Sequence, residues 1–150
     1  MRILVDGIAC PLSIQEICRK VALNRGIPIH IIYDRPSVNW TDDSIPVEVD
    51  DDLYEPKNHK IIDLVHIHDI VVTYDDYLAS LIYQKVLVVI HPDAMVYNSR
   101  NVDQKLYERY VNRKYLTVSK SRQLKKRTTH DDEAFEDLLM QLTMKVEGVL

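Results

Sequence analysis

Four short aliphatic runs, separated by segments of helical periodicity, constrain this chain more than any other feature. They are Ile3 to Val5 within Arg2 to Asp6, IPIHIIY from Ile27 to Tyr33, DIVVTYDD from Asp69 to Asp76, and VLVVI from Val86 to Ile90. Consecutive rather than alternating apolar residues mark strands buried on both faces. Between the first two runs, Ile14, Ile17, Cys18, Val21 and Ala22 repeat at helical spacing. Ser13 and Glu16 have the form of a capping box with Pro11 just upstream, and Gly26 is placed to cap the far end. A strand, helix, strand unit of this length is what a parallel crossover requires. The chain reads as an α/β sandwich with a mainly parallel sheet.

The remaining elements follow the same signals. DRPSVNWTDDSIP, from Asp34 to Pro46, reads as a loop, and Pro46 to Val49 as a short strand. Helices are expected around Lys57 to Val65 and over Tyr77 to Tyr83, and a small hairpin around Pro92, Asp93 and Met95 to Tyr97. Asn98 or Ser99 caps a helix running to about Lys114. Thr129, with Asp132 three residues on, caps a last amphipathic helix carrying Phe135, Leu138, Leu139 and Leu142.

At 150 residues and 46% hydrophobic, the sequence supports one core, so residues 1–150 are read as a single domain. Only Gly7, Gly26 and Gly148 are glycine, which excludes a GxGxxG or GxxxxGK[ST] phosphate loop. Nothing at the start reads as a signal-peptide core, and the longest aliphatic run is far short of the roughly 18 residues of a membrane span. A soluble, cytoplasmic protein is expected. Cys10 and Cys18 imply no disulfide framework and no zinc pattern; Cys10, near a helix start without an identifiable base, is read as a packed cysteine.

The formal net charge of −4 hides a polarity along the chain. Asp42, Asp43, Glu48, Asp50, Asp51, Asp52 and Glu55 form an acidic stretch. Arg109, Arg113, Lys114, Lys120, Arg122, Lys125, Lys126 and Arg127 form a basic one with no acid among them. The basic residues, with Tyr115 available for stacking, could contact phosphates; the alternative is a solvated connector.

Asp6 and Asp75 stand at carboxyl ends of strands, where open α/β sheets bind ligands. Two carboxylates there repel unless a proton or cation lies between them. A Mg²⁺ or Mn²⁺ ion held by Asp6 and Asp75, with Glu55 and Asp76 as auxiliaries, would support phosphodiester hydrolysis by a metal-bound water. The competing reading is that both carboxylates cap the helices that follow. His59, His66 and His68 lack a third zinc ligand at a fixed spacing and are read as solvated loop histidines.

Several blocks also resemble one family. MRILVDGIACP is similar to the opening of the YaiI/YqxD proteins, a bacterial family of unassigned function whose members begin VDADACPV or VDGDACPV. DIVVTYDDYLASLI resembles the block DIVVTADIPLA, VYNSRNVDQKLYERYVNRK the LYTEENI region, and RTTHDDEAFEDLL the closing helix. The resemblance implies a PIN-like three-layer fold, whose better-known members are metal-dependent ribonucleases with clustered carboxylates; nuclease activity comes only by analogy of fold. The departures are specific. Ile8 stands where the family has a second Asp, and Glu55 and Asn58 occupy the positions of an Asp-x-x-Asp pair. Tyr77 replaces a proline, and KKRTT replaces GPPP.

Two functions follow as expectations. The first is a metal-dependent ribonuclease using Asp6 and Asp75. The second is a catalytically inactive relative that binds RNA or a protein partner through Arg113 to Arg127. Ile8 and Asn58 favour the second; the retained Asp6 and Asp75 favour the first.

Overall fold

A computed structural model describes residues 1–33, 60–115 and 127–147. The elements run β1 (Arg2–Asp6), α1 (Leu12–Arg25), β2 (Ile29–Ile32), α2 (Lys60–Leu64), β3 (Asp69–Val72), α3 (Asp76–Ile82), β4 (Val88–His91), β5 (Met95–Val96), α4 (Ser99–Tyr115) and α5 (Thr129–Glu147). The five strands form one sheet in the order β2, β1, β3, β4, β5. The first four are mutually parallel, and β5 returns antiparallel to β4. This is the mixed, mostly parallel α/β arrangement that the aliphatic runs require. The loop of Asp34 to Pro46 and the strand of Pro46 to Val49 lie outside the described residues.

Consecutive apolar residues in the central strands send side chains to both faces, and each face has its own core. On one, Ile3, Val5, Ile70 and Val72 pack against Ile14 and Cys18 of α1 and Phe135 and Leu139 of α5. On the other, Leu4, Val71 and Val89 pack against Ile61 of α2, Leu78 and Ile82 of α3 and Val102 of α4. Helices therefore cover both faces of β1 and β3, which is why these strands carry no polar alternation.

The helix boundaries correct the sequence in detail. The residue preceding α1 is Pro11, and no side chain caps this end. Ser13 sits inside the first turn, and its Oγ reaches across to Asp132 Oδ1 of α5 at 3.5 Å instead. Gly26 ends α1 with φ 67°, the left-handed conformation that favours glycine. The cap of α5 lies one residue earlier than expected: Asp131 N donates to Thr128 Oγ1 at 3.2 Å, and Thr128 N donates to Asp131 Oδ2 at 2.9 Å. Asn98, not Ser99, caps α4, its Oδ1 accepting from Arg100 N and Asn101 N at 3.0 Å each. A short polar side chain just outside the helix meets the first free N–H groups, while one inside the first turn faces outward. Among the described residues no helix is long and apolar enough to cross a membrane.

Candidate functional site

The parallel strands bring their carboxyl ends to one edge of the sheet. β1 ends in Asp6, β3 runs into Thr73, Tyr74, Asp75 and Asp76, and β4 ends in His91. Thr73 joins the first two. Its N–H donates to Ile90 O of β4 at 3.1 Å, which fixes the residue to the sheet. Its Oγ1 donates to Asp6 Oδ2 at 2.8 Å and accepts from Asp75 N at 2.9 Å. Asp6 is 1% exposed and Thr73 is fully buried. A buried carboxylate is costly unless hydrogen bonded, and a hydroxyl that itself accepts from an N–H is a polarised donor.

The two aspartates have different tasks. Asp75 is the N-cap of α3, its Oδ1 accepting from Tyr77 N at 3.0 Å and Leu78 N at 3.1 Å. The capping reading is therefore correct for Asp75. It is not correct for Asp6, whose carboxylate ties β1 to β3 while α1 starts after Pro11. Asp76 Oδ1 accepts from Tyr97 OH at 2.5 Å, which joins α3 to the segment after β5. Burial, and then the neighbouring Asp76 charge, raise the Tyr97 phenol well above its ordinary pKa, so it stays a donor in this bond.

A second group lies at the ends of β3 and β4, where Arg127 enters just before α5. Its Nη1 donates to Tyr74 OH at 2.8 Å and to Asp93 Oδ1 at 3.4 Å, and its Nε donates to Asp132 Oδ1 at 2.9 Å. Burial opposes its charge, but the Asp132 and Tyr74 bonds outweigh burial and hold its pKa above the ordinary guanidinium value. The last residue of the basic stretch is thus fixed at the same end of the sheet as Asp6.

His91 stands edge-on to Tyr74, with ring centroids 4.7 Å apart. Its Nδ1 accepts from Asp93 N at 3.0 Å, which places the proton on Nε2 of a neutral ring. Burial lowers its pKa against the pull of Asp93 and Asp76. Cys10 is buried beneath this edge, its Sγ 3.6 Å from Val72 O, and desolvation drives its thiol far above the ordinary range. Cys18 is pushed up to about 12 by the same cause. Both are packed thiols, as the sequence indicates for Cys10.

Asp75 spends Oδ1 on two backbone N–H groups, Asp76 accepts the Tyr97 hydroxyl, and Ile8 offers no donor. Among the described residues no three His, Cys, Asp or Glu side chains gather as a metal centre. Glu55, Asn58 and His59 lie outside the described residues, as do Lys120, Arg122, Lys125 and Lys126. Arg113 and Lys114 fall in the last turn of α4. His66 and His68 are exposed in the turn before β3, at the opposite end of the sheet from Asp6.

Thr73, Tyr74 and His91 do not stand out in the sequence, and Asp93 and Asp132 read there only as turn and cap residues. The one signal is position: Thr73 and His91 each follow an aliphatic run directly, where a parallel sheet delivers side chains to its ligand-binding edge.

Comparison with known proteins agrees with the blocks quoted from the sequence. The chain is 33% identical over 141 residues to a UPF0178 protein of Ruminiclostridium cellulolyticum, covering 93% of this chain and 90% of the relative. It is 32% identical over 145 residues to one of Clostridium kluyveri, covering 96% and 93%. With a UPF0178 protein of Staphylococcus aureus it shares 38% over 114 residues, covering 73% and 72%. No solved structure matches. The profile described as "Uncharacterized BCR, YaiI/YqxD family" matches residues 4–145, so the chain belongs to the YaiI/YqxD family.

Proposed function

We propose that this protein is a PIN-like domain that acts by binding single-stranded RNA rather than by hydrolysing it, with Arg113, Lys114, Lys120, Arg122, Lys125, Lys126 and Arg127 supplying the phosphate contacts. One observation carries the reading: Asp6, Asp75 and Asp76 each hold a structural bond, to Thr73, to the α3 N-terminus and to Tyr97. A PIN-like nuclease needs such carboxylates to share a metal, and here one oxygen of each is already engaged within the fold. The position of Arg127 adds support, since this last residue of the basic stretch stands at the edge where α/β sheets bind ligands. Mg²⁺ or Mn²⁺ catalysis would need Glu55 as a further ligand to Asp6 and Asp75.

Two measurements test this together. Fluorescence anisotropy with single-stranded RNA should show binding that weakens with salt. Changing Lys120, Lys125 and Lys126 to Ala should flatten the salt slope by about 0.7 for each phosphate no longer neutralised. Calorimetry with Mn²⁺ should give no binding heat at millimolar metal. Binding that disappears in Asp6→Asn, accompanied by RNA cleavage, would overturn the proposal in favour of a hydrolase.

A further inference from the structure

We infer that the cleft between β2 and α2 is a binding site for a small organic monocarboxylate, separate from the carboxyl-end edge and independent of the RNA-binding reading. The cleft arises from unequal cover on the two faces of β2. On one face Ile29 and Ile31 pack against the core that α1 and α5 close. On the other, α2 is a helix of only five residues, and Ile32 stays half-buried at the margin of the core. The flank left open is a cavity of about 500 Å³. Leu4, Ile32 and Leu64 give it apolar walls, and Arg2, His30 and Lys60 give it polar ones. A space of this size takes a small molecule.

The polar walls select the ligand. Among the described residues that line the cleft none is Asp or Glu, although the chain as a whole carries a net charge of −4. Arg2 is held before any ligand arrives: Nε and Nη2 donate to Asp69 at 2.9 and 3.0 Å, and Nη2 also reaches Leu64 O. The N–H groups of Nη1 enter no bond among the described residues, and a donor fixed by the fold loses little freedom when it binds. Lys60 is exposed at the first position of α2. It already interacts within the protein, and an ammonium with three donors can hold a second acceptor. Because Asp69 meets the charge of Arg2, the cleft suits one negative charge and not a cluster of phosphates. A monocarboxylate brings that single charge, two acceptor oxygens for the nitrogen donors, and an apolar body for Leu4, Ile32 and Leu64. A wholly apolar ligand would strip water from the same donors and return no acceptor.

The experiment maps NMR shifts of the Ile, Leu and Val methyl groups of the full chain during titration with phenylbutyrate and, separately, with its neutral amide. Shifts should centre on Leu4, Ile32 and Leu64 and leave Val72 and Ile90 in place. The carboxylate should bind about tenfold more tightly than the amide. Lys60→Gln should weaken the carboxylate about threefold or more and leave the amide unchanged, a difference that a general loss of folding could not produce. Leu64→Phe, which fills the cleft from its rim, should weaken both probes about tenfold or more without lowering the urea midpoint. Equal affinities for acid and amide would overturn the choice of ligand. No shifts at about 10 mM probe, or shifts centred on another part of the sheet, would overturn the site. Single-stranded oligouridylate should leave the phenylbutyrate shifts in place; displacement by it would make the cleft part of an RNA surface and overturn the inference as well.

Discussion

The two ends of the sheet each bury an aspartate, and they hold it in opposite ways. At the amino end Asp69, 2% exposed, receives Arg2 Nε at 2.9 Å and Nη2 at 3.0 Å, and its Oδ2 also accepts from His66 N at 2.7 Å. Arg2 goes on to Leu64 O, so one guanidinium ties β1 to β3 and to the end of α2. At the carboxyl end the hydroxyl of Thr73 holds Asp6, and the bonds continue to Asp75, α3, Asp76 and Tyr97. A bidentate ion pair is strong because two opposite charges meet in fixed geometry. A chain of hydrogen bonds is weaker at each step but orients several elements at once. The amino end is a clasp; the carboxyl end is a scaffold that sets the directions of Asp6, Asp75 and Asp76.

That contrast predicts the order of two substitutions. Asp69→Ala leaves the Arg2 guanidinium and His66 N without their acceptor. Breaking a buried pair costs about 3–5 kcal/mol, and because Arg2 is 26% exposed the lower end, about 3 kcal/mol, is expected in urea unfolding. RNA affinity, measured where the variant is still folded, should not change. Thr73→Val keeps the shape of the side chain but removes both the donor to Asp6 and the acceptor of Asp75 N. Each is a buried polar group, so the loss should be about 2 kcal/mol, with RNA affinity falling as well because the edge is reoriented. A Thr73→Val protein as stable as wild type would show that the Thr73 bonds carry no net stability. An Asp69→Ala protein that loses RNA binding while folded would end the division between the two ends.

The sequence made the central elements legible because the aliphatic runs are buried on both faces and leave no polar alternation to confuse them. It also located Asp6 and Asp75 at strand ends, since a carboxylate closing such a run has few other places to go. Their partners were not legible. Thr73 Oγ1 meets Asp6 Oδ2 across 67 positions of sequence, and Arg127 meets Tyr74 across 53. The first pair arises from the strand order, in which β3 lies beside β1, and the second from the entry of Arg127 just before α5; no local spacing encodes either. Ser13 shows the converse: its capping-box spacing is present, but the chain enters α1 through Pro11, and tertiary packing sends the hydroxyl to Asp132.

The smallest expected effect concerns pH, and His91 confines it to the carboxyl end. Its ring is buried, and desolvation lowers its pKa below the ordinary value of about 6.5. Four charged groups act on it: Asp93 and Asp76 favour the imidazolium, while Lys105 and Arg127 oppose it. The Asp93 carboxylate, 3.6 Å from Nδ1, is 64% exposed and screened by water, so it does not offset burial. Protonation also turns Nδ1 from an acceptor into a donor and breaks its bond with Asp93 N. The unfolded chain therefore takes up a proton that the folded chain refuses. Stability is complete above the ordinary histidine pKa and is lost as pH falls from about 6.5 toward the lowered folded value, with a slope no steeper than about 1.4 kcal/mol per pH unit. Urea midpoints should fall between about pH 7 and pH 5.5 in the wild type. In His91→Asn, whose amide oxygen can keep the bond from Asp93 N without titrating, that part of the slope should disappear. Equal slopes in the two proteins would remove His91 as the source of acid sensitivity and leave the two ends of the sheet alike in this respect.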